Sequence, residues 1–369
     1  MTKAAELAKM GEVLTNSQIG GRRNILYNSK FEVAQRGTSF SQGTGGDYLL
    51  DRWRPAIGSA FNLDTTISQS TTVPSGQGFK HSLKVEADSV VSPNSNQNGG
   101  IAQYLEGQDV DHLAYGTSSA ESLTLSFWVR SNKTGTYCVQ LMMNVGAGSG
   151  SERQMHIKEY TISSANTWEK KTLTFTGNTS QAITQTNTDG FRVIWWLSTG
   201  SGDYQSADSW ISSPAFASTS NQVNFMDSAD NEWYLCGCQL EVGEQATPFE
   251  HRSFGEELAL CQRYFAKSYN HSVTPGTAPD FVGCPGRFVD ATSSYASVQV
   301  FLPVTMRATP TVTLFNPSTG ATASIRSDST DHAASTSQIG ETGFFFFANN
   351  SSIGTSSSIR GHYTAEAEL

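Results

Sequence analysis

The residues best equipped for chemistry in this 369-residue chain are scattered carboxylates and a few histidines. In "GQDVDHL", Asp109, Asp111 and His112 stand together. Two carboxylates and an imidazole can ligate a metal. A calcium loop needs further oxygen ligands in series, and none follows, so a solvated turn accounts for them. Asp47, Asp51 and Glu106 could be put forward as a glycosidase pair. Such enzymes hold two carboxylates at a defined separation across a sugar, and no flanking motif here supports that. Asp51 and Arg52 of "DRW" are instead expected to pair with each other. No Gly-x-Ser-x-Gly elbow, phosphate loop or His-Glu-x-x-His occurs. The five cysteines (Cys138, Cys236, Cys238, Cys261 and Cys284) are irregularly spaced and lack a Cys-x-x-Cys, so they read as buried reduced thiols. Cys236 and Cys238 are expected on one face of a strand. No catalytic residue, metal ligand or cofactor is assigned.

The strand patterns say more about binding. In "LTLSFWVR", Leu123, Leu125, Phe127 and Val129 share one face, leaving Trp128 and Arg130 on the other. In "FRVIWWLS", Phe191, Val193, Trp195 and Leu197 share a face, leaving Arg192 and Trp196 opposite. In the strand ending at Val242, the set Tyr234, Cys236, Cys238, Leu240 and Val242 reads as buried, with Trp233, Gln239 and Glu241 opposite. Aromatic faces beside planar polar groups suit a sugar or a protein partner. Large outward aromatics are more often covered by loops, an arm or a neighbouring subunit.

The elements that position these residues are strands. Ser, Thr, Gly and Asn are abundant, apolar runs are short and alternating, and turn signals recur, which is the profile of an all-β chain. The expected strands are 81–87, 122–130, 137–143, 171–176, 191–198 and 233–242, then 296–303, 309–316, 321–327, 343–349 and 358–369, with Ser/Thr-rich loop between them. Residues 21–250 are expected to form a jelly-roll β-sandwich, because nothing supplies the helices of a parallel sheet. "SFGE" places Ser253 three positions before Glu256, a capping box that opens a short connector helix within 251–267. Its stripe, Leu258, Cys261 and Phe265, is expected to contact another subunit or domain. Residues 268–369 form a smaller β-sandwich domain, in which "FFFF" at 344–347 alternates two in, two out. Residues 1–20 read as an attachment arm, with Leu7, Met10 and Leu14 on one side of a helix.

The net charge is −9 and no Lys/Arg cluster appears, which argues against nucleic acid. No apolar run is long enough to span a membrane, and the first residues lack a secretory signal, so synthesis and folding in a cytoplasm are expected.

The blocks "NILYNSKFEVAQRGTSF", "DYLLDRW", "TLSFWVRSNKTGTY", "NTWEKKTLTF", "NQVNF" and "QLEVGEQATPFEHRSFGEELALCQRYF" together resemble a family of bacteriophage virion proteins. These are tail-fibre or appendage proteins of marine phages, similar to those of cyanophages. The blocks keep the family's order and cover most of residues 22–267. The resemblance implies a jelly roll like a carbohydrate-binding module, a structural role in the particle and homotrimerisation; it does not imply an enzyme, and none is expected. Partners would be other phage tail or capsid proteins and a host-surface glycan. Some jelly-roll modules hold a structural calcium, whose ligands the sequence does not identify here. Two other readings stand beside it: a capsid-decorating head fibre or cement protein, and a polysaccharide-degrading tailspike.

Overall fold

In the computed structural model, the described residues are Lys3 and 23–369, apart from 43–46, 59–60, 62, 146–152, 213–217, 290–296 and 349–356. The arm residues Leu7, Met10 and Leu14 lie outside the described residues.

The first strands are β1 (Ser39–Gln42), β2 (Trp53–Gly58), β3 (Thr65–Ser70), β4 (Ser82–Ala87), β5 (Asn98–Glu106) and β6 (Leu123–Ser131). Next come β7 (Gly135–Asn144), β8 (Arg153–Ile162), β9 (Glu169–Phe175), β10 (Asp189–Thr199), β11 (Trp210–Ser212) and β12 (Glu232–Val242). They build two antiparallel six-stranded sheets, A in the order β1-β3-β4-β12-β6-β9 and B in the order β11-β8-β7-β10-β5-β2. The inward sides of β6 and β10 are those the alternation predicts: Leu123, Leu125, Phe127 and Val129 face Phe191, Val193, Trp195 and Leu197 across one core. Trp195 is the hub, with ring centroids of Trp53 at 5.5 Å and Phe127 at 5.8 Å. The fold is an all-β, jelly-roll sandwich followed by a short helix and further β-structure.

His156, fully buried on β8, packs edge-on against Phe175 and Trp210. Burial, and then the charge of Lys158, push its imidazole down to about 4. The unfolded chain, with histidine near 6.5, binds more protons than the folded one between those values. Stability therefore falls as pH drops through that window, by about 2–3 kcal/mol from pH 7 to pH 4.5. Urea midpoints at the two pH values should show this loss, and His156→Phe should remove it. An unchanged pH slope in the variant would rule His156 out as the cause.

Helix α1 (Phe254–Gln262) carries the predicted capping box. Ser253 Oγ accepts from Glu256 N at 3.3 Å, and Glu256 Oε2 accepts from Ser253 N at 2.9 Å. Such a cap contributes about 1 kcal/mol. The helix turns Glu257 and Cys261 inward. Tyr264 then enters the sandwich core and Ala266 a second core, so the chain passes from one to the other within residues 264–266.

The remaining strands are β13 (Phe265–Lys267), β14 (Gly286–Val289), β15 (Ser297–Phe301), β16 (Thr311–Phe315), β17 (Ser324–Ser327), β18 (Thr330–Gly340), β19 (Gly343–Ala348), β20 (Ser357–Arg360) and β21 (His362–Glu366). They form a three-stranded sheet, β13-β21-β16, and a six-stranded one, β14-β20-β17-β18-β19-β15. Phe344 and Phe346 point into the second core while Phe345 and Phe347 are half-exposed, as the alternation of "FFFF" requires. The stretch expected as Ser/Thr-rich loop contains β18. Its inward positions include His332 and Ala334, too polar and too small to signal a strand by hydrophobicity.

The junction between the two cores is charged. Arg52, fully buried, lies 3.4 Å over the Tyr264 ring and pairs with Glu368. Arg36 lies 3.8 Å over Phe265 and pairs with Glu368 at 3.0 Å. Glu106, also fully buried, takes both arms of Arg263 at 2.9 Å and the Tyr264 hydroxyl at 2.6 Å. Charges taken out of water are tolerated only when paired in this way. The expected Asp51–Arg52 pair does not form. Asp51 instead accepts from Gln35 N and Nε2, each at 2.6 Å, while Arg52 turns to Glu368.

Candidate functional site

The solvent side of sheet A carries an aromatic and charged cluster. Lys84 on β4, Tyr234 on β12 and Arg130 on β6 are directly opposite one another across three neighbouring strands. The Arg130 guanidinium lies 4.8 Å from the Tyr234 ring centroid and the Lys84 ammonium 5.6 Å. The next outward row is Cys236, Trp128 and Lys170. Trp168, just before β9, brings its ring to 6.1 Å from Tyr234. Trp128 and Trp168 are half-buried, so each keeps part of its ring in solvent.

Hydrogen bonds hold the charges in place. Arg130 donates to the Asn166 carbonyl at 3.0 Å and to its side-chain oxygen at 3.1 Å. Lys84 pairs with Glu86 at 2.7 Å and Glu232 at 2.9 Å, and Glu232 accepts from the Tyr234 hydroxyl at 2.9 Å. Burial pulls the Lys84 ammonium down, but bonds to Glu86 and Glu232 outweigh it and hold the group above the usual lysine range. The bond from Lys84 keeps Glu232 below the usual carboxylate range. Lys84 and Glu232 therefore stay ionised at neutral pH. They can hydrogen-bond hydroxyls beside flat apolar rings but are not poised to move protons.

The residues expected to share one surface separate. Trp128 and Arg130 are on sheet A as described. Trp233 is fully buried in the sandwich core. Its misplacement comes from a β-bulge at Gly237, where the register against β6 shifts between Cys236 and Gln239. One extra residue reverses the alternation, so Trp233 and Leu235 point inward before it, and Cys238 and Leu240 after it. Tyr234 is therefore an outer-face residue, and Cys236 and Cys238 lie on opposite faces. All five cysteines are free, and only Cys284 is not buried.

Gln239 and Glu241 do face outward, but the returning chain covers them. Glu241 accepts from Thr247 N at 2.9 Å, and Gln239 Oε1 accepts from Glu250 N at 2.7 Å. They brace the join rather than meet a ligand. Arg192 and Trp196 belong to sheet B, on the opposite side of the molecule. Trp196 is fully buried in a small outer cluster with Ile194 and Ile157, its Nε1 donating to Gln140 at 2.8 Å. Gln222 is tied to the Trp196 carbonyl and to Cys138 N, which holds the loop before β12 on that face. Arg192 donates to Asp189 at 2.8 Å. Cys261 and Phe265 are covered by their own chain at the internal junction, while Leu258 is half-buried.

The carboxylates are also placed. Asp51 and Glu106 are fully buried in the junction's bonds, which removes them as a glycosidase pair. Asp109 accepts from the Tyr27 hydroxyl at 2.7 Å, and Asp111 and His112 are exposed on a 3-10 turn. Among the described residues, no group of three or more His, Cys, Asp or Glu comes together to hold a metal. None of the described helices is long and apolar enough to cross a membrane.

Two antiparallel sheets with an outward aromatic cluster define an all-β sandwich of the jelly-roll class. No protein-family model matches the chain, and no curated protein matches it significantly. Among solved structures, the enzymatically active domain of tailspike protein 4 from bacteriophage CBA120 is 14% identical, with a TM-score of 0.30, over 56% of this chain and 21% of that one. The CBM22-1–GH10 modules of Clostridium thermocellum xylanase 10B are 10% identical, with a TM-score of 0.29, over 59% of this chain and 30% of that one. A sugar-binding protein of Bacteroides thetaiotaomicron is 11% identical, with a TM-score of 0.35, over 60% of this chain and 100% of that one. The chain thus spans well under two thirds of the first two.

Proposed function

We propose that this protein is a non-enzymatic structural component of a phage virion, a tail fibre or similar appendage, whose sandwich contacts host-surface glycan. The observation that carries the glycan contact is the outer face of sheet A, where Trp128 and Trp168 keep solvent-facing rings beside the fixed charges of Lys84, Arg130 and Glu232. Sugar rings stack on such faces while hydroxyls bond the flanking charges. The virion role rests on the resemblance of residues 22–267 to phage appendage proteins. In this reading residues 1–20 anchor the chain to another tail or capsid protein, and three copies assemble. A light-scattering mass of one chain would remove the trimer.

Binding to purified host-envelope glycans tests the surface. Trp128→Ala with Trp168→Ala should weaken binding about tenfold or more, given roughly 0.5–1.5 kcal/mol for each stacked ring. Release of reducing sugars during the assay would favour a tailspike instead. Equal binding by the double variant would move the glycan site elsewhere.

A further inference from the structure

We propose that the rim of sheet B, where β5 begins and β10 ends, holds a calcium ion. Asn98 is the first residue of β5 and Thr199 the last of β10, and the two are directly opposite in the ladder. Residues so paired share a face of the sheet, so their side chains stand together. Gly58 of β2 is opposite Asn98 on its other side. It leaves room for the amide, because a Cβ there would meet Asn98 Oδ1 at 2.3 Å. Beyond β10 the chain folds back against the entry to β5. Gly200 N donates to the Gln97 carbonyl at 2.7 Å and Gly202 N to the Ser95 carbonyl at 2.6 Å. This turn brings Asp203 to the pair, and Asn98 Nδ2 donates to Asp203 Oδ2 at 2.6 Å.

Three oxygen groups at this corner lack a positive partner. Asn98 is 2% exposed and Thr199 5%, and neither Asn98 Oδ1 nor Thr199 Oγ1 has a hydrogen-bond partner. Asp203 is also 5% exposed, and among the described residues no Lys, Arg or His side chain pairs with it. Burial pushes its carboxyl above the usual carboxylate range, and the bond from Asn98 offsets only part of that. A carboxylate taken out of water is costly unless a cation meets it. Water could donate to Asn98 and Thr199 but would leave the charge of Asp203 unbalanced. A hard cation satisfies all three. Oxygen donors without nitrogen or sulfur select calcium or magnesium over zinc. One carboxylate beside neutral amide and hydroxyl oxygens suits calcium, since magnesium demands a near-ideal octahedron and gives up water reluctantly. Water completes the coordination, and the ion ties the turn 200–203 to both strands. A single charged ligand puts the affinity in the weak range, about 0.1–1 mM.

Titration calorimetry of chelator-treated protein with CaCl2 tests the site, beside thermal unfolding with and without about 10 mM CaCl2. Calcium should bind in the stated range and raise the melting temperature by about 3 °C or more. Asp203→Asn keeps the shape but not the charge. It should weaken calcium binding about tenfold or more and abolish the shift. Without calcium it should unfold no earlier than the wild type, because it buries no charge. Thr199→Val should weaken binding about threefold. Asp111→Asn, on the exposed turn, should change nothing. MgCl2 at the same concentration should give less than half the calcium shift. No calcium binding at about 10 mM would overturn the proposal. So would an equal shift with MgCl2, or an affinity within about twofold of wild type in both Asp203→Asn and Thr199→Val.

Discussion

Replacing Glu106 with alanine should lower stability by about 3 kcal/mol, and the melting temperature by roughly 5–10 °C. Glu106 is fully buried and accepts from Arg263 twice, from the Tyr264 hydroxyl and from Gln108 at 2.7 Å. Removing it leaves a guanidinium and a phenol without an acceptor at the point where the chain leaves the sandwich. Breaking a fully buried pair costs about 3–5 kcal/mol. The lower end applies because the Arg263 side chain keeps 31% exposure and can recover water. Glu106→Gln keeps one oxygen for Arg263 Nε and the Tyr264 hydroxyl but sets an amide donor against Arg263 Nη2 and Gln108, and should cost less than the alanine change. Thermal unfolding of the three proteins settles the matter. An alanine variant within a degree of wild type would show that the junction does not depend on this carboxylate.

Gly237→Val should cost about 2–4 kcal/mol. Gly237 sits in the left-handed region at φ +57°, where a β-branched residue is strained. A Cβ there would meet the Phe79 ring at 2.4 Å. Phe79 packs in turn on Phe249 and His251, centroids 5.1 and 5.4 Å away, so it cannot move without disturbing the join. Straightening the bulge is not an escape, because the core uses Trp233 and Leu235 on one side of it and Cys238 and Leu240 on the other. Gly237→Ala, strained in backbone but smaller, should fall about 1 kcal/mol short of the valine change. Urea midpoints measure both. An alanine variant as stable as wild type would mean the bulge is not held by its glycine.

The all-β class, the inward sides of β6 and β10, the alternation of "FFFF" and the helix cap were legible because each is a local pattern of side chains. What the pattern could not carry is relative placement. Trp128 and Trp196 look alike in their strands, yet they occupy opposite sheets, and only the second lies under a loop. Period two also fails at a bulge. Gly237 was the single visible sign that Trp233 and Tyr234 exchange faces. Trp168 was overlooked because it precedes its strand and has no alternating neighbours. β18 was overlooked because its inward positions include a histidine and an alanine.

The two ends of the sandwich meet at the join. Ile25 N donates to the Leu240 carbonyl at 2.9 Å, Leu240 N to Asn24 at 3.1 Å, Asn24 N to Glu250 at 2.7 Å and Asn28 N to Glu257 at 2.6 Å. Tension applied between residue 23 and β13 therefore runs through this short seam, loading its bonds side by side. It bypasses the long strands of both sheets, which carry the outer faces. The sandwich hangs beside the line of force, so its aromatic surface can keep its geometry while the chain on either side is pulled.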